Sequence, residues 1–270
     1  MSVRAFVLSS LAVFLGTACA AAGAQGDAAS RVAAFGALPN WTGLWETELR
    51  ADLSSGKIDL KSMNAILISR MMLLGRPPYR ADVQRREQID PNAGVPSTGR
   101  GGLPPSLKAC STVFPAAMDG LSIFQIFVMP EETLFLFEDG SVRHIYTDDR
   151  THPRADDLWP TEMGDSIGHW EHGTLVIDTI ARKAGPVAPY PIPGITQLTE
   201  QARFTERVRM LDHDTMQDEL TIEDQAQFAQ PWRLTVRYKR VTDLDRLIAT
   251  NCTENDRNPV VNGNLTISPP

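Results

Sequence analysis

From residue 122 onward the chain alternates apolar and polar positions at period two, in runs divided by short turn-forming pairs. These runs predict strands at 122–129, 132–138, 141–147, 166–171, 174–180, 198–210, 215–223 and 232–241, with a last short strand at 246–251. Asp139-Gly140 and His172-Gly173 predict two-residue hairpin turns, because both central positions of such turns take positive φ. The first turn predicts Phe135 facing His144 and Phe137 facing Val142, with Val142, His144, Tyr146 and Asp148 sharing one side. The second predicts Trp170 opposite Leu175 and Gly168 opposite Ile177, leaving Ile167, His169, Val176 and Asp178 on the other face.

Upstream the pattern changes. Residues 41–49 predict a first strand after the breaker Pro39-Asn40. Leu60, Met63, Leu67, Met71 and Leu74 recur at three- and four-residue steps and predict a helix over 59–74. A short basic helix is expected over 79–88, and the Pro/Gly-rich stretch 90–106 propagates neither regular structure. The fold class is therefore mainly β: an antiparallel meander forming a lipocalin-like barrel or strongly curved sheet, with one or two N-terminal helices. Closure removes the exposed edges that so many strands would otherwise carry. Residues 25–108 form the N-terminal strand, helix and wrapping segment, 109–258 the barrel, and 259–270 a tail.

Composition narrows the partners. The 270 residues carry a formal charge of −7, which argues against a nucleic-acid surface. Residues 1–24 read as a signal peptide: Arg4, an apolar run over 5–16 too short to span a bilayer, then Ala22-Gly23-Ala24 as a cleavage site. A periplasmic or secreted protein is expected, with no transmembrane segment in the mature chain; lipidation at Cys19 is the alternative. Export would leave Cys110 and Cys252 as an even pair in an oxidising compartment, either bridged or as two thiols.

Candidate chemistry concentrates in 141–179, which holds four of the five histidines. His152 can carry a proton near neutral pH, Asp148 can orient its ring, Arg150 can grip an anionic oxygen and Tyr146 can donate. These four form the candidate catalytic set. Phe135, His144, Trp159, His169, Trp170 and Asp178 are the candidate ligand-binding residues. The competing reading is a structural Asp-Arg-His lattice that pins the loop without catalysis. Residues 164–168 match G-x-S-x-G, but a strand with a Trp follows where a nucleophile elbow needs a helix. No metal-binding spacing or dinucleotide fingerprint is present, so the site is read as cofactor-free with no metal. Glu223-Asp224 is a further carboxylate pair at a strand end, with solvated caps as the plainer reading.

The segments YTDDRTHP, MGDSIGHWEHGTLVIDT and TIEDQAQFAQPW resemble a widespread family of exported bacterial β-rich proteins. That family carries Y-T-D-G-R-x-H-P, M-G-x-S-x-G-x-W-E-G-D-T-L-V-V-D-T and T-I-E-D-P…PW motifs. The likeness covers roughly 110–258 and implies an exported β-rich fold without implying a reaction. This chain departs from it at Asp149, where the family favours Gly, at His172-Gly173, where it has Gly-Asp, and at Gln225, where it has Pro. Together these readings describe an exported enzyme doing acid–base chemistry, as a lyase, isomerase or hydrolase, on a small cyclic or aromatic molecule. A carrier using the same pocket without turnover is the alternative, and a structural or interaction protein the second.

Overall fold

Alternation of burial along each strand sets the architecture. In the computed structural model, residues 28–57, 77–86, 114, 115, 118, 122–186 and 197–248 are described, with the backbone of 260–261 and 264–265. The barrel strands are β1 (Leu44–Thr47), β2 (Phe124–Val128), β3 (Glu132–Phe137), β4 (Val142–Tyr146), β5 (Asp165–Glu171), β6 (Thr174–Ile180), β9 (Arg203–Met210), β10 (Thr215–Glu223) and β11 (Trp232–Val241). Two small hairpins stand outside the barrel, β7 (Gly185–Pro186) with β8 (Gln197–Leu198), and β12 (Val260–Val261) with β13 (Asn264–Leu265). Helices α1 (Ala28–Gly36), α2 (Glu48–Ser54) and α3 (Ala81–Arg86) complete the elements.

The nine barrel strands close in the order β1-β2-β3-β4-β5-β6-β9-β10-β11, with β11 returning to β1. A closed ring with an odd number of strands cannot alternate direction all the way round. The exception falls between β4 and β5, which are parallel, with Ile145 opposite Ser166 and Tyr146 opposite Ile167. The other eight junctions are antiparallel. A parallel pair needs a long crossover, and the loop 147–164 supplies it.

Inside, the wall along β1, β2, β3 and β11 is aromatic. Phe124 meets Phe135, Phe137 and Tyr238 at centroid distances of 5.7, 5.8 and 5.2 Å. Trp45 is fully buried beside them. Trp41 packs edge-on against Trp170 at 4.9 Å, and Tyr79 and Trp232 flank Phe228 from two sides.

Several expectations shift. The first strand stops at Thr47, whose hydroxyl accepts from Arg50 N at 3.2 Å and caps α2. The β3–β4 register moves by one residue, pairing Phe135 with Arg143 and Leu136 with Val142. The cause is a three-residue loop: Phe137 N donates to Ser141 O, and Gly140 takes the left-handed conformation at φ 83°. Phe135 therefore faces inward and His144 outward, instead of sharing a side. Residues 246–248 form no strand, because β11 already pairs with β1 and leaves no edge to extend. The helix expected over 59–74, the connector 90–106, the N-terminal segment 1–24 with Cys19, and Cys110 and Cys252 all lie outside the described residues. Among the described residues, no helix is long and apolar enough to cross a membrane.

Candidate functional site

The crossover loop leaves β4 at Thr147, whose N–H and hydroxyl donate to Glu131 O and Pro130 O at 2.8 and 3.2 Å. Asp149 then turns through φ 61°, a left-handed conformation that Asp tolerates and Gly adopts freely. Arg150 folds back from this turn. Its Nε and Nη2 donate to the two Asp148 carboxylate oxygens at 2.8 and 2.6 Å, and its guanidinium lies 3.9 Å over the Tyr146 ring. The Arg150 hydrogen bond holds the Asp148 carboxyl below its ordinary range.

His152 is tied to the outer barrel wall. Its Nδ1 meets Asp165 Oδ1 at 2.5 Å, and its Nε2 lies 3.4 Å from Asp178 Oδ2 without forming a hydrogen bond. Strand register arranges this. Ile167 pairs with Asp178, so Asp165 and Asp178 are diagonal neighbours on the outer face. Asp178 pairs with Thr205, which brings Arg203 diagonal to it. Arg203 Nε donates to Asp178 Oδ1 at 2.9 Å, and Nη2 to Oδ2, which raises the Arg203 pKa.

Only part of the sequence-derived constellation converges. Tyr146, Asp148 and Arg150 form one stack, while His152 and Asp178 join a different one. Asp148 is spent on Arg150, so the orienter of His152 is Asp165. His144 pairs with Glu132 at 3.1 Å and His169 with Glu171 at 2.9 Å, both on the outer face. Trp159 is 73% exposed and lines nothing. Phe135 and Trp170 belong to the interior, so these proposed walls lie across the barrel wall from the proposed polar end.

Outside, along the parallel seam, runs a groove of about 370 Å³. Pairing with β5 begins only at Ile145, so the start of β4 and the turn 161–164 leave a wedge between them. Val142, His144, Tyr146, Met163, Asp165 and Ser166 line it. Ser166 forms its floor and is buried in strand β5, with its Oγ 2.8 Å from Thr179 Oγ1. It is not a presented nucleophile.

Behind Ser166 lies a polar cluster that the sequence reading did not single out. Arg143, on the inner face of β4, donates from Nη1 and Nη2 to Glu206 at 2.9 and 2.5 Å, and from Nη2 to Thr179 Oγ1 at 3.0 Å. Its guanidinium also sits 3.8 Å over the Phe114 ring. Asp218, on β10, faces the same point, and its pKa is driven well above the ordinary value by burial first and the Glu206 carboxylate second. Charged residues at inward positions of Arg143, Glu206 and Asp218 are the signal available in the sequence, but it depends on the correct register. Among the described residues, no three His, Cys, Asp or Glu side chains converge as a metal site. No protein-family profile, curated protein or solved structure matches the chain.

Proposed function

We propose that this chain is a small-molecule-binding barrel whose ligand lies in the outer groove of the β4–β5 seam. The observation that carries the reading is the groove itself, about 370 Å³, where Tyr146, His144 and Asp165 offer hydrogen bonds beside the apolar Val142 and Met163. That lining suits a small cyclic or aromatic molecule with a hydroxyl group. A second reading, acid–base catalysis, is favoured by the 2.5 Å contact between Asp165 and His152. In it Asp165 meets the ligand and exchanges the proton, while His152 behind it is a positioning residue. The apolar N-terminal stretch supports work outside the cytoplasm after removal of residues 1–24.

The test is ligand-observed NMR on the purified chain with a library of small cyclic and aromatic alcohols and acids. Binding that disappears in Val142→Trp, which fills the groove from the outer face, supports the site. An empty screen, or hits untouched by Val142→Trp, overturns it. Conversion of a hit by the wild type, with binding but no conversion in Asp165→Asn, establishes catalysis. Binding without conversion leaves a carrier.

A further inference from the structure

A second hollow, of about 470 Å³, lies between the β10–β11 turn and the start of β9. Its frame is rigid. Asp224, 2% exposed, accepts from Thr199 N at 2.7 Å, Thr199 Oγ1 at 3.2 Å and Ala226 N at 3.1 Å. The N–H groups of Gln227 and Phe228 close back on Asp224 O, and the turn is stitched to residues 78–80 through Ala229 N to Pro78 O and Arg80 N to Gln227 O. Phe228 is held between Tyr79 and Trp232. With Ala229 and Pro231 it gives the hollow an apolar side.

The polar side is open to solvent and carries several groups able to meet a ligand. Gln201, Glu223, Gln225 and Gln230 line the hollow. All four are exposed, and their side chains have no hydrogen-bond partner among the described residues. Arg203 completes the lining, with Nε and Nη2 committed to Asp178. Each glutamine amide both donates and accepts, Glu223 accepts, and Arg203 donates. The one cation of the lining, Arg203, is already paired with Asp178, while Glu223 is charged and the three donors to the Asp224 carboxylate are neutral groups that leave its charge in place. The balance is negative, so a phosphate would be repelled. A hydroxyl, which donates and accepts at once, meets a matching partner at every position.

We infer that this hollow binds a neutral polyhydroxylated molecule of sugar size. Its volume falls in the ordinary range of small-ligand sites, roughly 300–1,000 Å³. The ligand rests on the Phe228–Pro231 side and turns its hydroxyls toward the three amides and Glu223. The backbone that carries Glu223, Gln225 and Gln230 is held by the hydrogen bonds of the turn, so binding has only their side chains to order.

The test is a saturation-transfer NMR titration of the full chain with glucose, galactose, maltose, cellobiose and myo-inositol. Glucose 6-phosphate serves as the anionic counterpart. At least one neutral compound is expected to saturate, and to bind more tightly than glucose 6-phosphate. Loss of two amide contacts in Gln225→Ala/Gln230→Ala should weaken it by about tenfold or more. Both positions are exposed and unpartnered, so an unchanged melting temperature verifies that this variant folds. Val142→Trp, in the seam groove, should leave sugar binding unaltered, which separates this site from the groove. No saturation by any neutral compound, tighter binding of the phosphorylated sugar, or unchanged affinity in the double variant overturns the inference.

Discussion

Asp218 faces Glu206 diagonally across the β9–β10 ladder inside the barrel, and no donor among the described residues reaches either Asp218 oxygen. Arg143 is the cation beside them, and it already grips Glu206 with two nitrogens at 2.9 and 2.5 Å. One guanidinium cannot neutralise two buried carboxylates. The arrangement is balanced when Asp218 keeps its proton and donates it toward Glu206, so the interior carries one ion pair and one neutral acid.

A pH dependence follows, and its sign is fixed by the direction of the Asp218 shift. The folded pKa is raised, so the contribution of Asp218 is fully present below the unfolded value of about 3.9 and is lost as pH rises towards the folded value. The loss amounts to about 1.4 kcal/mol per pH unit for one proton. Asp218→Asn, which has no proton to lose, should match the wild type near pH 4 and exceed it increasingly as the pH rises, until the folded pKa of Asp218 is passed. Urea denaturation of both chains across that range measures the difference. A constant difference would mean that Asp218 ionises as freely in the folded barrel as in the unfolded chain.

Removing the cation should be far more damaging. Arg143→Met leaves Glu206 and Asp218 buried together, at a cost of about 3–5 kcal/mol. Adding Glu206→Leu removes the stranded charge, and the double variant should regain much of the loss. Chemical denaturation of the two single variants and the double variant closes the cycle. Equal, additive losses would show that the pair is not energetically coupled.

The two hairpins show where sequence reasoning succeeds and where it stops. At His172-Gly173 the two central residues take φ 50° and 80°, so the turn has the expected length and the β5–β6 register follows, including Trp170 opposite Leu175. At Asp139-Gly140 only Gly140 is left-handed among non-helical turn positions there, and Glu138 joins the loop. That single added residue inverts which neighbours share a face. It turns Arg143 from an ordinary polar position into the centre of the buried cluster. His152 was legible as a residue with chemistry, but its partner was not. Asp165 lies on the far side of an 18-residue crossover, and only the parallel seam brings the two together.

His152 ties that crossover to the wall, and its removal should act locally. Its side chain is 13% exposed and its Nδ1 contact with Asp165 is short. His152→Ala should therefore cost about 1–3 kcal/mol, expressed mainly as opening of the loop. Amide hydrogen exchange should quicken across 149–163 while β9, β10 and β11 keep their protection. Uniform acceleration through the barrel would instead assign His152 to global stability.

Two glycines with nearly the same backbone conformation should respond very differently to a methyl group. Gly164 and Gly173 have φ of 74° and 80°, so an alanine is strained at either position by about 1 kcal/mol. At Gly173 a Cβ would meet nothing within 4 Å. At Gly164 it would lie 2.7 Å from Thr179 Cγ2 and 2.8 Å from Ile180 O, where β6 closes against the turn that opens β5. The Ile180 oxygen belongs to a paired strand and cannot retreat without disturbing the Asp165–Ile180 register. Gly164→Ala should thus lose at least about 2 kcal/mol more than Gly173→Ala, the excess being the overpacking cost. It should also disturb the seam groove, because Gly164 lines it. Comparing melting temperatures and groove-ligand binding in the two variants tests both points. Equal losses in both would mean that the β6 end yields, and that the seam is softer than its contacts require.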